Sequence, residues 1–394
     1  MMKRIAIVHP FLGTKAGSGS IYKCLKIIEA LKDFYDLSLI TGAPSVDLSV
    51  LNRQWETNIL KGDIHFKKIP LFFLRYTPRF MALRHSLVGR YSRAHAHEYD
   101  LMLSAYNPYD FGVRGIQFIG DLIFSDKLRT IFHSMPEDRE AAWFYKDSLW
   151  RTLYLKAGRL LYPATKEGLW RNLTIANSCW TRDLLYKVFG EDSLVVYPPV
   201  PDMDSNVPWA RREEGFVTIG NLVPFKQIER SIRIIQVVRG TGLNVHLHLI
   251  GDILDKVYAH KILGFCRNNA DWCFYEGPLY GRDKMILIEG HKYGIHGAQV
   301  EGFGIAVAEM IKAGCVVWVA EGGGQTEIVE SAQLVFRSEE DAVRKIAAIL
   351  RDETELECLR RHLLQRSRAF MLERFFSDIR RIVADFVGRD GPKD

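Results

Sequence analysis

Short apolar runs rich in β-branched residues recur along this chain, each followed by a longer amphipathic stretch. That alternation is what most constrains the fold. In the first half, Arg4-Ile5-Ala6-Ile7-Val8-His9 and Leu37-Ser38-Leu39-Ile40-Thr41 read as buried strands, with a helix expected from about Ile21 to Leu31 between them. Gly215-Phe216-Val217-Thr218-Ile219 opens a second series, continued by the runs Val245 to Ile250, Trp272 to Tyr275 and Cys315 to Val319. Strands separated by helices predict parallel sheets, so the expected class is α/β with two Rossmann-like, doubly wound domains. Such sheets bind ligands beyond the C-terminal ends of their strands, and the two domains are expected to face a shared central cleft. A chain of 394 residues with 47% hydrophobic content can build two cores. Pro198 to Glu214, rich in Pro, Asp and Arg and without apolar periodicity, marks the boundary between them.

Composition narrows the function classes. The formal charge of +6 is modest for this length and is no nucleic-acid signature. There is no run of about 18 apolar residues, and Met1-Met2-Lys3 leads straight into the first strand. Neither a signal peptide nor a membrane span is therefore expected. Six scattered cysteines without a C-x-x-C pair fit a reduced, cytoplasmic setting.

Chemistry concentrates in Glu301-Gly302-Phe303-Gly304-Ile305-Ala306-Val307-Ala308-Glu309. Gly302 and Gly304 let backbone N–H groups approach a ligand closely. A helix starting near Ile305 would aim its free N–H groups and positive dipole end at that ligand, which suits a phosphate. Glu309 lies about a turn further on, and helical side chains lean back toward the N-terminus. Glu301 and Glu309 can thus flank one ligand across a phosphate-binding helix start, one acid on a sugar and the other on a ribose.

This pattern resembles the Glu-x7-Glu element of the retaining nucleotide-sugar glycosyltransferases of family 4, which have the GT-B fold. Further segments extend the resemblance in the right order over nearly the whole chain. Thr174-Ile175-Ala176-Asn177-Ser178-Cys179-Trp180-Thr181 is similar to the family's "ANS-x-W-T" segment, and Val195-Val196-Tyr197-Pro198-Pro199-Val200 to its "vvYPPV" approach to the hinge. Gly220-Asn221-Leu222-Val223-Pro224-Phe225-Lys226 matches the "GRLxxxK" phosphate site at all but one position. Leu249-Ile250-Gly251-Asp252 and the run Gly322 to Val329 stand in the expected places around them.

The resemblance implies residues 1–200 as an acceptor-binding domain and 201–367 as a nucleotide-sugar-binding domain. Residues 368–394 would form a helix returning to the first. It also implies roles. Lys226 and the N–H groups of Phe303, Gly304 and Ile305 would hold the donor diphosphate, with Gly17 and Ser18 of the Gly13 to Ser20 loop closing from the other side. Glu301 would orient the sugar and Glu309 the ribose. Asn221 departs from the family's Arg and loses a charge, so Asn221→Arg is expected to tighten donor binding. Where the family often reads "Y-x-H-x-P", this chain has Ile116-Gln117-Phe118-Ile119-Gly120-Asp121, with Gly120 in the position of the His and Asp121 the candidate to take over part of its role. His296 is either a ligand contact or a turn histidine.

Other patterns read as structural. Asp202-Met203-Asp204 falls in the linker rather than at a strand end, His95-Ala96-His97-Glu98 reads as exposed helix, and Cys266 and Cys273 as packed thiols. Residues 61–100 carry eight Lys or Arg against three acidic side chains, interleaved with aromatics. They either contact an anionic membrane surface or pack as a loop and helix with solvated arginines. The combined expectation is a cytoplasmic, retaining glycosyltransferase needing neither metal nor cofactor, and peripheral to the inner membrane face on the first of those two readings of residues 61–100. Its donor would be a GDP- or UDP-hexose, with a lean to GDP-mannose, and its acceptor a saccharide or lipid-linked saccharide; nucleic acid is not expected as a partner. The rivals are a GT-B sugar-nucleotide epimerase, a phosphorolytic enzyme, or a degenerate glycan-binding partner.

Overall fold

The computed structural model describes residues 2–13, 19–43, 45–69, 71, 80–120, 122, 124–132, 146–201 and 207–389. Two compact units emerge. The first combines Met1–Arg129, Trp143–Pro199 and Glu373–Asp394, and the second is built chiefly from Val200–Leu372.

The first unit carries a seven-stranded parallel sheet of β1 (Arg4–Val8), β2 (Asp36–Thr41), β3 (His65–Lys68), β4 (Leu101–Ser104), β5 (Ile116–Phe118), β6 (Leu173–Ala176) and β7 (Leu194–Val195). Its order is β3-β2-β1-β4-β5-β6-β7. The four residues from Ile5 to Val8 are fully buried, because helices cover both faces of a parallel strand, and this is why β1 reads as a continuous apolar run. At the end of β6, Ser178 caps the following helix, Cys179–Phe189, by accepting the Thr181 N–H at 2.9 Å.

The second unit repeats the plan with β8 (Glu213–Ile219), β9 (His246–Ile250), β10 (Cys273–Gly277), β11 (His291–His296), β12 (Val316–Ala320) and β13 (Val335–Phe336). Its order is β10-β9-β8-β11-β12-β13, again all parallel. Strand order reverses between β8 and β11, as it does between β1 and β4. A crevice at the strand C-termini is expected at each of those points.

The last helix, Leu372–Arg389, places Phe375, Ile379, Ile382, Val383, Phe386 and Val387 in the core of the first unit. Those positions share one face at helical spacing, and Arg380 adds a hydrogen bond to the Ala30 carbonyl at 2.8 Å. The return begins at Glu373 rather than at 368. Arg368–Phe370 forms a short 3-10 turn, and Phe370 stays packed edge-on against Phe303 of the second unit, with ring centroids 5.5 Å apart.

The basic stretch divides. Arg84 is buried and donates to the Gly42 carbonyl, and Arg93 pairs with Asp110 at 3.0 Å, so both serve the fold. Phe66 packs against the core, while Lys61, Lys67, Lys68 and Arg90 are exposed. Residues 72–79 lie outside the described residues, as does Asp202-Met203-Asp204. His95 to Glu98 is only partly the exposed helix expected: Ala96–Glu98 makes a 3-10 turn, with Ala96 buried and His95 stacked on Tyr91. All six cysteines are free, and Cys266 and Cys273 are buried with their Sγ atoms 3.6 Å apart. No helix among the described residues is long and apolar enough to cross a membrane.

Candidate functional site

At the switch point of the second sheet, the segment after β8 brings Lys226 and the segment after β11 brings Glu301. Lys226 closes a 3-10 turn, Pro224–Lys226, in which Pro fixes the first helical φ. Gln227 then takes a left-handed conformation, φ +48°, and leads into the helix Ile228–Gly240. The Lys226 ammonium meets Glu301 Oε2 at 2.5 Å, and His296 Nε2 lies 3.5 Å from the same oxygen. Burial alone would raise the Glu301 carboxyl. The Lys226 ammonium and the His296 ring outweigh it and hold the group well below the ordinary carboxylate range. Glu301 is therefore ionised, and only about a fifth of its side chain is open to solvent, at 22%.

The turn after Glu301 has the geometry its glycines suggest. Gly304 caps the helix Ile305–Lys312 at φ +102°, a conformation that a side chain would strain, and the helix opens at Ile305 as expected. Behind the turn, Gly324 packs so closely that a Cβ there would lie 2.3 Å from the Gly302 carbonyl oxygen, and its N–H donates to the Glu301 carbonyl at 2.8 Å. Gln325 completes the support. Fully buried, its Nε2 donates to the carbonyls of Ala320, Ala298 and Gln299 at 2.8, 3.2 and 3.3 Å. It ties the end of β12 to the loop that carries Glu301. Nothing in its spacing alone announces this role.

Glu309 is buried in the same helix, and its carboxylate is already engaged. Lys284, from the helix Gly281–Glu289, reaches Glu309 Oε1 at 2.6 Å. Sequence reasoning missed Lys284 because it stands on a helix without a motif. Two ion pairs thus engage the two acids of the motif, Lys226–Glu301 and Lys284–Glu309. Asn221 accepts the Asp252 N–H through Oδ1 at 3.3 Å, fastening the loop after β8 to the loop after β9. Asp252 in turn accepts the Tyr280 hydroxyl.

In the first unit, Gly17, Ser18 and Asp121 lie outside the described residues. Gly120 is described, and the structure explains it: a Cβ there would stand 2.7 Å from the Tyr106 carbonyl oxygen and 3.5 Å from Lys23 Nζ. No side chain fits without displacing backbone, so a His is sterically excluded at this position. His9, at the end of β1, is buried, with its ring 5.3 Å from that of Tyr106. Burial and then the nearby Lys23 charge push it down to about 3, so it is neutral. Lys23 is itself buried, with Nζ 5.3 Å above the Phe118 ring. His9 and Lys23 mark the switch point of the first sheet and were legible only as parts of a strand and a helix.

Residues 202–368 match the family model of the glycosyl transferases group 1. Over 181 residues the chain is 25% identical to the GDP-Man:Man(3)GlcNAc(2)-PP-Dol alpha-1,2-mannosyltransferase of Dictyostelium discoideum, a match covering 41% of this chain and 36% of the relative. Among solved structures, WaaG, a glycosyltransferase involved in lipopolysaccharide biosynthesis, aligns with a TM-score of 0.69 at 14% identity, covering 98% of this chain and 100% of that one. Anabaena HepE in complex with UDP-glucose aligns at 0.66 and 14%, covering 97% and 100%. Sucrose-phosphate synthase of Thermosynechococcus elongatus aligns at 0.71 and 14%, covering 98% and 100%. The chain has the GT-B fold seen in these glycosyltransferase structures, and its residues 202–368 carry the match to the glycosyl transferases group 1.

Proposed function

We propose that this protein is a retaining glycosyltransferase that moves a hexose from a nucleoside diphosphate sugar to an acceptor hydroxyl. The observation that carries this reading is the Lys226–Glu301 pair, 2.5 Å apart at the β8/β11 switch point, beside a glycine-capped helix start. A diphosphate arriving at the helix N-terminus would draw on the Lys226 ammonium and on the N–H groups of Phe303, Gly304 and Ile305. These groups stabilise the charge that develops as the bond between the anomeric carbon and the phosphate oxygen breaks. The acceptor oxygen forms its new bond to the same face of that carbon, and its proton passes to the departing diphosphate. Glu301 is held as a carboxylate and so accepts hydrogen bonds from sugar hydroxyls. Glu309 uses one oxygen on Lys284 and has the other for the ribose diol. The chemistry requires no metal or organic cofactor in this reading.

For the donor we favour GDP-mannose, the donor of the Dictyostelium mannosyltransferase. UDP-glucose, bound by the Anabaena structure, is the second choice. The relative's PP-Dol acceptor also supports a lipid-linked saccharide. The deciding experiment is a panel of GDP- and UDP-sugars with purified protein, scored by thermal shift, nucleotide release and the anomeric configuration of the product by NMR. One donor should stabilise the fold and give a product of retained configuration. Inversion would overturn the mechanism, and silence across the panel would favour a degenerate glycan-binding partner, the reading to which the loss of the family's Arg at Asn221 lends support.

A further inference from the structure

β9 opens His246-Leu247-His248, so both imidazoles fall on one face of the second sheet, and β11 opens with His291. β8 runs between these strands, pairing Gly215 with His246 and Glu213 with His291. The three rings therefore gather at the N-terminal edge of the sheet over Gly215. A Cβ at Gly215 would lie 2.2 Å from His246 Nε2 and 2.6 Å from His291 Cδ2, so the missing side chain clears the floor beneath them. One ring nitrogen from each histidine lies within 4.8 Å of the other two.

We propose that His246, His248 and His291 form a transition-metal site at the N-terminal end of the second sheet, taking zinc or a similar ion. Hydrogen bonds at Nδ1 favour the tautomer this requires in two of the three rings, His291 and His248. His291 Nδ1 lies 2.6 Å from the Leu287 carbonyl, which only accepts, so Nδ1 carries the proton and Nε2 the lone pair. That Nε2 is buried without a hydrogen-bond partner. His248 Nδ1 lies 2.7 Å from Glu276 Oε1, the carboxylate-to-imidazole contact that orients a metal-binding histidine and frees its Nε2. His246 Nε2 is also buried without a hydrogen bond. Glu213 Oε2 stands 3.3 Å from it and 3.9 Å from His291 Nε2, within reach of the fourth position.

An aromatic cluster is the plainer explanation, and His248 does stack on Phe274 at 4.9 Å. Packing alone, however, leaves the buried Nε2 atoms of His246 and His291 without a hydrogen bond, which is unfavourable, and a bound cation would satisfy both. Three imidazoles with a carboxylate select zinc, cobalt, nickel or copper over magnesium or calcium. Tetrahedral bonds of roughly 2.0–2.1 Å need ligand atoms about 3.3–3.4 Å apart, so the rings close by no more than about 1.5 Å. The ion would pin the irregular start of β11, where the register shifts between His291 and Tyr293, to β8 and β9. Lys226 and Glu301 follow the opposite, C-terminal ends of β8 and β11, so this role is structural and separate from donor binding.

The test is titration of tag-free, chelator-stripped protein with Co2+ and then Zn2+. Saturation at one cobalt per chain with the visible bands of a tetrahedral nitrogen–oxygen site, displacement by zinc, and a metal-dependent rise in melting temperature are expected. His246→Asn and His248→Asn should abolish the bands while the stripped proteins melt as wild type does, and Glu301→Gln should leave binding intact. Absence of stoichiometric cobalt bands in the wild-type protein overturns the proposal without recourse to any variant, as does binding that survives both substitutions.

Discussion

At Glu301 two opposed forces meet, burial that disfavours charge and the Lys226 and His296 contacts that favour it, and the contacts win. A carboxylate depressed in the folded state stabilises fully above its ordinary value near 4.3 and loses that contribution only as pH falls through the lower folded value. The stability gap between wild type and Glu301→Gln, read by thermal melting, should therefore persist at about pH 5 and narrow toward about pH 3. If Glu301 accepts from a sugar hydroxyl as proposed, Glu301→Gln should cost about 1.5–3 kcal/mol, or roughly 10–150-fold in kcat/KM. Lys226→Ala should cost about 10²–10³-fold in kcat, the usual scale for losing one preorganised group that stabilises developing charge. Gly120 is decided by space rather than chemistry. Gly120→Ala should destabilise by about 1–3 kcal/mol in denaturant melts, since the clash is with the Tyr106 backbone rather than with a flexible side-chain end.

Among the elements, the last helix shows how sequence-distant segments complete one core. Its apolar face joins residues of β1, β2, β4 and the helix Gly19–Leu31 in a single cluster. Ile379 is 1% exposed, so Ile379→Ala should cost about 2–5 kcal/mol and lower the denaturant midpoint of the first unit. A control at Arg381, whose side chain is 62% exposed, should change little. The turn from Glu301 to Ile305 was legible because left-handed glycine and helix capping are local effects, set within a few residues. Gln325 and Lys284 were not legible. Their roles depend on which carbonyls and carboxylates the tertiary structure delivers to them from 298–299, 309 and 320.

For the molecule as a whole, charge and exposure set what remains open on the surface. Arg84 is buried and Arg93, although exposed, is paired with Asp110, while Lys61, Lys67, Lys68 and Arg90 are described basic groups of the 61–100 stretch that face solvent. If these groups hold an anionic membrane surface, the protein should sediment with anionic but not neutral vesicles at low salt and release as salt is raised. Equal sedimentation with both would count against it. The sequence by itself determined the α/β class and the positions of most strands, because continuous burial on both faces writes an apolar run into the chain. It also determined the glycine-capped helix start after Glu301, because capping is local. Only the tertiary structure decided that Glu309 arrives already paired with Lys284, that Gly120 has no room for a side chain, and that three histidines from two strands meet over Gly215. Each of those depends on strand order and register, which are set by packing between segments far apart in sequence and leave no local signature.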